Sequence, residues 1–216
     1  MKKLCVFDLD GTLTDTLDNL AAVTNEALNS VGLQGCPQEE YKFFAGDGAG
    51  MLIKRALQYQ NAEMSLYTQC LSTYLALFKN KCSYLVKPYA DIPELLNELK
   101  ARGMLLCVYS NKPHDMAIKV VTEIFGERTF DNIIGQRDNH PVKPNPEGVT
   151  ESMEKLGIKQ DEVIYIGDTN TDIATGKNAG VFTVGVTWGF RSQEELEEAG
   201  ADVIIDRPME LLDYLD

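Results

Sequence analysis

The sequence predicts an α/β protein: a doubly wound parallel sheet with a small helical segment inserted after the first strand. Three observations carry this reading. Several short runs are apolar throughout instead of alternating, as strands covered on both faces are. From residue 90 onward such runs alternate with helical patterns, the order that builds βαβ units. Between them, residues 16–83 show helical periodicity and no strand pattern.

Taken in order, KLCVFDL at 3–9 reads as the first strand. TLDNLAAVTNEALNSVG then sets Leu17, Leu20, Ala21, Ala27, Leu28 and Val31 on one helical face and stops at Gly32. A second long helix spans roughly 62–79 by the same periodicity. Ile92, Leu95, Leu96 and Leu99 mark a helix ending at Gly103, and MLLCVYS at 104–110 reads as the next strand. Pro113 suits the first turn of the helix carrying Met116, Val120, Val121 and Ile124 up to Gly126. NIIG (132–135), EVIYIGD (162–168), VFTVGV (181–186) and DVII (202–205) complete the strands, and Ser192 with Glu195 resembles a capping box. The expected organisation is a core domain of residues 1–15 and 84–216 with a second, helical domain of residues 16–83.

The net charge of −13 argues against a broad nucleic-acid surface, which needs clustered Lys and Arg. An anionic ligand would therefore be small and held by local positive charge. Only four apolar residues separate Lys3 from Asp8, too few for a signal peptide or a membrane span. Five cysteines form no CxxC pair, and an odd number cannot pair fully, so reduced buried thiols and a cytoplasmic location are expected. Composition leaves the oligomeric state open.

Ligands of open α/β sheets sit beyond the carboxyl ends of the strands. Four polar segments are expected at that rim: FDLDGT after the first strand, YSNK (109–112) after the second, PVKPNPEG (141–148) before the fourth, and YIGDTNTD (165–172) after it. Asp8 and Asp10 are two residues apart and lean to one side of an extended chain. Asp168 and Asp172 add carboxylates, and clustered oxygen ligands suit Mg²⁺. Lys143 and Lys112 supply positive charge, while Ser110 and the N–H groups opening the next helix suit phosphoryl oxygens. Taken singly, each segment also reads as a turn, a helix cap or a solvated lysine. Four of them in order, each beside a strand, point to a cation site built next to an anion site. A Rossmann dinucleotide fingerprint is excluded, because DLDGTL stands where its glycine-rich turn belongs and GDGAG (46–50) lies among helices.

These residues resemble the haloacid dehalogenase-like phosphohydrolases over the whole chain. The four motifs stand as Asp8-Leu-Asp10-Gly11-Thr12, Ser110-Asn111-Lys112, Lys143-Pro144 and Gly167-Asp168-Thr-Asn-Thr-Asp172. The resemblance implies a Rossmann-like core with a small helical cap. It implies that Asp8 attacks phosphorus and that Asp10 is the general acid and then the base. Mg²⁺ would be held by Asp8, Asp168 and the Asp10 carbonyl, with Asp172 orienting the shell. Ser110 and Lys143 would bind the phosphoryl group, and Gly11, Thr12 and Asn111 would complete the cradle. Asp10 favours phosphoryl transfer over dehalogenation, and neither Lys42 nor Lys54 stands in the context a phosphonate hydrolase requires. AGDGAGMLIKRALQ (45–58), KPYADIPELL (87–96) and VTWGF (186–190) resemble phosphoglycolate phosphatases, with Arg55 at the matching arginine of the substrate site. Asp47 departs from that subgroup, which has an uncharged amide there. The reaction this implies is Mg²⁺-dependent hydrolysis of a small phosphomonoester, 2-phosphoglycolate first. Nucleoside monophosphates, sugar phosphates, pyrophosphate, a hexose-phosphate mutase and a non-catalytic phosphate binder are the alternatives.

Overall fold

The computed structural model describes residues 1–216. Its main sheet has six strands: β1 (Leu4–Phe7), β4 (Leu105–Pro113), β5 (Asn132–Gln136), β6 (Val163–Gly167), β7 (Phe182–Val186) and β8 (Val203–Ile205), in the order β5-β4-β1-β6-β7-β8. Two further strands of two residues each, β2 (Thr14–Asp15) and β3 (Lys87–Pro88), pair antiparallel in a separate ribbon. Every neighbour pair in the main sheet is parallel. Helices α5 (Ile92–Ala101), α6 (His114–Phe125), α7 (Glu147–Leu156), α8 (Asn170–Ala179) and α9 (Gln193–Glu198) make the crossovers.

The unbroken apolar strands are explained by two cores on opposite sheet faces. Cys5 and Phe7 point into the larger cluster, which continues into the helical segment, and Leu4 and Val6 point into a smaller one beside Val149 and Tyr165. β1 is central, paired with β4 on one side and β6 on the other. The chain first builds outward through β4 and β5, then returns to the far side of β1. This reversal opens a crevice at the carboxyl end of β1, where α/β sheets bind ligands.

The helical segment leaves and rejoins the sheet through the β2–β3 ribbon. It holds α1 (Leu17–Ser30), α2 (Tyr41–Phe44), α3 (Gly48–Tyr59) and α4 (Tyr67–Lys81). α1 ends where expected, with Gly32 at φ 81° just beyond it. The second long helix, α4, starts later than the predicted 62, because a 3₁₀ turn at Met64–Leu66 precedes it. α6 begins at His114, and Pro113 precedes the helix with extended backbone instead of occupying its first turn. Ser192 does cap α9, its hydroxyl accepting from the Glu195 N–H.

Candidate active site

Asp8 follows β1 directly, and Asp168 follows β6 directly. Since β1 and β6 are paired in register, with Phe7 opposite Ile166, the two carboxylates arrive side by side. Asp172 lies in the first turn of α8, where its side chain accepts from the Thr169 N–H (3.1 Å) and hydroxyl (2.6 Å). That is a capping interaction, and the same carboxylate also enters the site: Oδ1 accepts from Lys143 Nζ at 2.7 Å and from the Tyr165 hydroxyl at 3.1 Å. Carboxylate oxygens of Asp8, Asp168 and Asp172 lie within 4.8 Å of one another, all buried.

Lys143 is the cation among them, its side chain only 2% exposed. It stands 2.7 Å from Asp8 Oδ1, as close as it stands to Asp172. The contact to Asp8 has ion-pair distance but lacks hydrogen-bond alignment, so Oδ1 is a buried oxygen without a directed donor. Burial and the charge of Asp172 push the Asp8 carboxyl up to about 7 against the pull of Lys143. Burial, Asp172 and Asp8 likewise hold the Asp168 carboxyl well above its usual range. For Lys143, burial works to lower the pKa, but Asp172 and Asp8 outweigh it and hold the ammonium well above lysine's ordinary value.

Three buried carboxylates thus stand beside one lysine, which pairs with Asp8 and Asp172. Such a cluster is short of positive charge. Hard oxygen donors in this number fit a divalent cation such as Mg²⁺. Asp168 is already oriented by its own donors, Oδ1 accepting from the Thr12 hydroxyl at 2.8 Å and Oδ2 from the Phe190 N–H at 2.8 Å. Gly11 makes that approach possible, since a Cβ there would stand 2.3 Å from Asp168 Oδ2 and its φ of 93° disfavours any other residue.

Asp10 stands apart from this cluster. Both its oxygens accept from Lys112 Nζ, at 2.6 and 2.8 Å, and that ammonium also lies 5.0 Å from the centre of the Phe78 ring. Asn111 and Lys112 do not lie beyond the strand that the sequence ends at Ser110. β4 runs on through them to Pro113, with a register shift against β5 between Tyr109 and Pro113. The helix expected to open at Pro113 starts at His114. Asn111 is a structural tie: its Oδ1 accepts from the Lys143 N–H at 2.8 Å and its Nδ2 donates to the Gly46 carbonyl at 3.1 Å.

A cavity opens over these groups. Asp8, Asp10, Ser110, Asn111, Lys112 and Lys143 form its floor, and the helical segment supplies the roof with Leu20, Ala45, Ala49, Leu52, Tyr74 and Phe78. Of the residues singled out in the sequence, Asp8, Asp10, Ser110, Asn111 and Lys143 meet at this cavity, with Asp168 and Asp172 beneath Asp8. Thr12 is buried with its hydroxyl committed to Asp168, so that hydroxyl supports the carboxylate. Arg55 does not line the cavity. Its guanidinium is paired with Asp47 and donates to the Phe44 carbonyl at 3.1 Å.

Sequence reasoning missed several participants. Trp188 Nε1 donates to the Thr12 carbonyl at 2.9 Å, and Phe190 holds Asp168 through its backbone. The aromatic run at 186–190 was visible, but nothing local said that its indole N–H faces the first motif and a backbone N–H of it faces Asp168. Tyr74 and Phe78 were visible only as an i, i+4 aromatic pair; they stack at 5.1 Å on α4.

The family described as haloacid dehalogenase-like hydrolase matches residues 5–186. The chain belongs to that family. It is 32% identical to a phosphoglycolate phosphatase of Vibrio vulnificus over 99% of this chain and 96% of that one. It is 31% identical to an N-acetylmuramic acid 6-phosphate phosphatase of Pseudomonas aeruginosa over 99% of this chain and 95% of the relative. A crystal structure from Lactobacillus delbrueckii, provisionally described as a phosphoglycolate phosphatase, superposes with a TM-score of 0.94 at 30% identity, covering 100% of this chain and 99% of that one. No helix of the chain is long and apolar enough to cross a membrane, and all five cysteines are free and buried.

Proposed function

We propose that this enzyme, a phosphoric monoester hydrolase, cleaves a small phosphomonoester through an aspartyl-phosphate on Asp8, with Mg²⁺ bound beside it. The observation that carries this reading is the charge-deficient cluster of Asp8, Asp168 and Asp172 around Lys143, with Asp10 alongside. Asp8 Oδ1 is buried and lacks a directed donor, which suits an oxygen reserved for bond formation or for a metal.

In the first step a carboxylate oxygen of Asp8 bonds to phosphorus, the bond from phosphorus to the ester oxygen breaks, and Asp10 passes its proton to that oxygen. In the second, water bonds to phosphorus, Asp10 takes the water proton, and the acyl-phosphate bond breaks to release phosphate and restore Asp8. Lys143 and Ser110 are assigned to the phosphoryl oxygens, where positioning and charge stabilisation dominate this chemistry. Lys112 holds both oxygens of Asp10 and so fixes the acid's direction. The cation is assigned to the Asp8 and Asp168 carboxylates and the Asp10 carbonyl, with Asp172 beneath them; it would neutralise the acids and the transferring phosphoryl charge. Helices of residues 16–83 are assigned the role of a cap that keeps bulk water off the intermediate. Five buried thiols without a disulfide suit a reducing cytoplasm.

The relatives named above carry two different substrates at nearly the same identity. Their names support the chemistry and leave the choice among phosphomonoesters to the roof of the cavity. The test is phosphate release from 2-phosphoglycolate, sugar phosphates, nucleoside monophosphates and pyrophosphate, with Mg²⁺ and then with chelator. Release that needs Mg²⁺ is expected for at least one ester. Release from none, or release that chelator leaves untouched, contradicts the reading.

A further inference from the structure

The roof of the cavity is unlike its floor. The helical segment contains five cationic side chains, Lys42, Lys54, Arg55, Lys79 and Lys81, and none lines the cavity. Apolar side chains, Leu20, Leu52, Tyr74 and Phe78 among them, do, together with the backbone of Gly46 and Gly48. The two cations of the floor are both engaged, Lys143 with Asp8 and Asp172 and Lys112 with Asp10. A phosphate placed against Asp8 directs its ester substituent past Asp10 toward this roof. A carboxylate on that substituent would leave water for an apolar wall with no free cation, a costly transfer. A hydroxyl would not meet that penalty. The Tyr74 hydroxyl, on a side chain 2% exposed, has no hydrogen bond to another protein group and is available to one.

Beside this roof Arg191 is spent on the carbonyls of Lys42 and Ala45, which leaves Arg55 as the cation to change this. It lies one turn from Leu52 on α3, but its guanidinium turns back to Asp47. Asp47 is itself fixed from the sheet side, its Oδ1 accepting from the Thr171 hydroxyl at 2.7 Å. Burial opposes its ionisation, but Thr171 and Arg55 outweigh burial, and the Asp47 carboxyl titrates below its usual range. The loop carrying it is held down as well. Arg191 donates to the carbonyls of Lys42 and Ala45, and Gly46 accepts from Asn111.

We infer that Asp47, by binding Arg55, fits the site to phosphomonoesters whose leaving group is uncharged, such as short polyols and sugars, over those whose leaving alcohol carries a carboxylate. This rests on the phosphatase reading and narrows its substrate class. It runs against the expectation of 2-phosphoglycolate that the resemblance of residues 45–58 brings.

The experiment compares kcat/KM for 2-phosphoglycolate, for its amide 2-phosphoglycolamide, which is nearly the same size without the charge, and for glycerol 1-phosphate. The wild-type enzyme is expected to favour the two uncharged leaving groups by about tenfold or more, the scale of leaving one charged group unpaired. Asp47→Asn keeps an acceptor for Thr171 but releases Arg55 from the ion pair, and it is expected to raise the phosphoglycolate-to-amide ratio several-fold. A wild-type preference for 2-phosphoglycolate, or a ratio that Asp47→Asn leaves unmoved, overturns the inference while phosphatase activity stands. Absence of turnover on all three esters and on p-nitrophenyl phosphate removes the phosphatase reading, and this one with it.

Discussion

The same chemistry appears at two places in this chain with different consequences. At the sheet rim, Lys143 pairs with Asp8 and Asp172, and the three side chains are 2%, 7% and 0% exposed. In the helical segment Arg55 pairs with Asp47, and these are 28% and 29% exposed. The rim group is desolvated and unbalanced, three acids to one base, so the Asp8 and Asp168 carboxyls and the Lys143 ammonium are held above their ordinary titration ranges. The cap pair is balanced one to one and partly hydrated, so it fixes a loop and hides a charge. Burial and stoichiometry, more than residue type, separate a reactive cluster from a structural tie.

Substitutions that probe the contrast run from large effects to small. Asp8→Asn keeps the shape but removes the carboxylate proposed to attack, and turnover is expected to fall on the order of 10⁴-fold or more, as for loss of a nucleophile elsewhere. Steady-state rates on p-nitrophenyl phosphate measure this, and near-wild-type turnover would make the rim cluster merely structural. Lys143→Met leaves the acids without their only base. Breaking a buried pair in this way costs about 3–5 kcal/mol, to be read in urea unfolding at pH 8 in chelator. A loss under about 1 kcal/mol would put the rim pair in the same class as the cap pair.

The third probe is pH. Asp8 in the folded chain binds its proton more tightly than in the unfolded chain, with a pKa of about 7 against 3.8. The folded state therefore holds more protons, and this group's contribution to stability declines as pH rises from about 4 to 7. In chelator, Asp8→Asn should match wild type near pH 4 and exceed it by up to about 4 kcal/mol above pH 7. Mg²⁺ at a hundred times its dissociation constant should return about 2.7 kcal/mol to wild type. Thermal melts across that range check both, and a gap that does not vary with pH would contradict the charge imbalance. The smallest effect belongs to Arg55→Ala, where a partly exposed pair contributes about 0.2–1 kcal/mol. A melt that drops well beyond this would mean that the loop at 44–48 is held mainly by that arginine.

Much of the rim was legible because chemistry there sits next to continuous apolar strands, and a parallel sheet brings the carboxyl ends of its strands to one edge. Asp8 and Asp168 needed only the register of β1 and β6 to meet. What was not legible depended on contacts between segments far apart in sequence. The extension of β4 through Asn111–Pro113 goes with its irregular pairing with β5. The commitment of the Thr12 hydroxyl to Asp168, 156 residues away, follows from a loop-to-loop approach. Arg55 was read from its neighbours in the chain, and its partner Asp47 was visible eight residues earlier. Whether that acid would face the arginine or the cavity was set by the backbone of the Gly46–Gly48 turn, which no periodicity encodes. Gly46 itself has φ 109°, open to glycine and strained for others.

The proposed chemistry stands or falls on a covalent bond between Asp8 and phosphorus. It is tested most directly by quenching the enzyme during turnover with borohydride, which reduces an aspartyl-phosphate to homoserine, and sequencing the peptide by mass spectrometry. With p-nitrophenyl phosphate, whose leaving group needs no acid, homoserine at position 8 is expected, more of it in Asp10→Asn, where breakdown of the intermediate is slowed, and none in Asp8→Asn. Steady phosphate release without homoserine at position 8, or with homoserine at another aspartate, would contradict a nucleophilic Asp8.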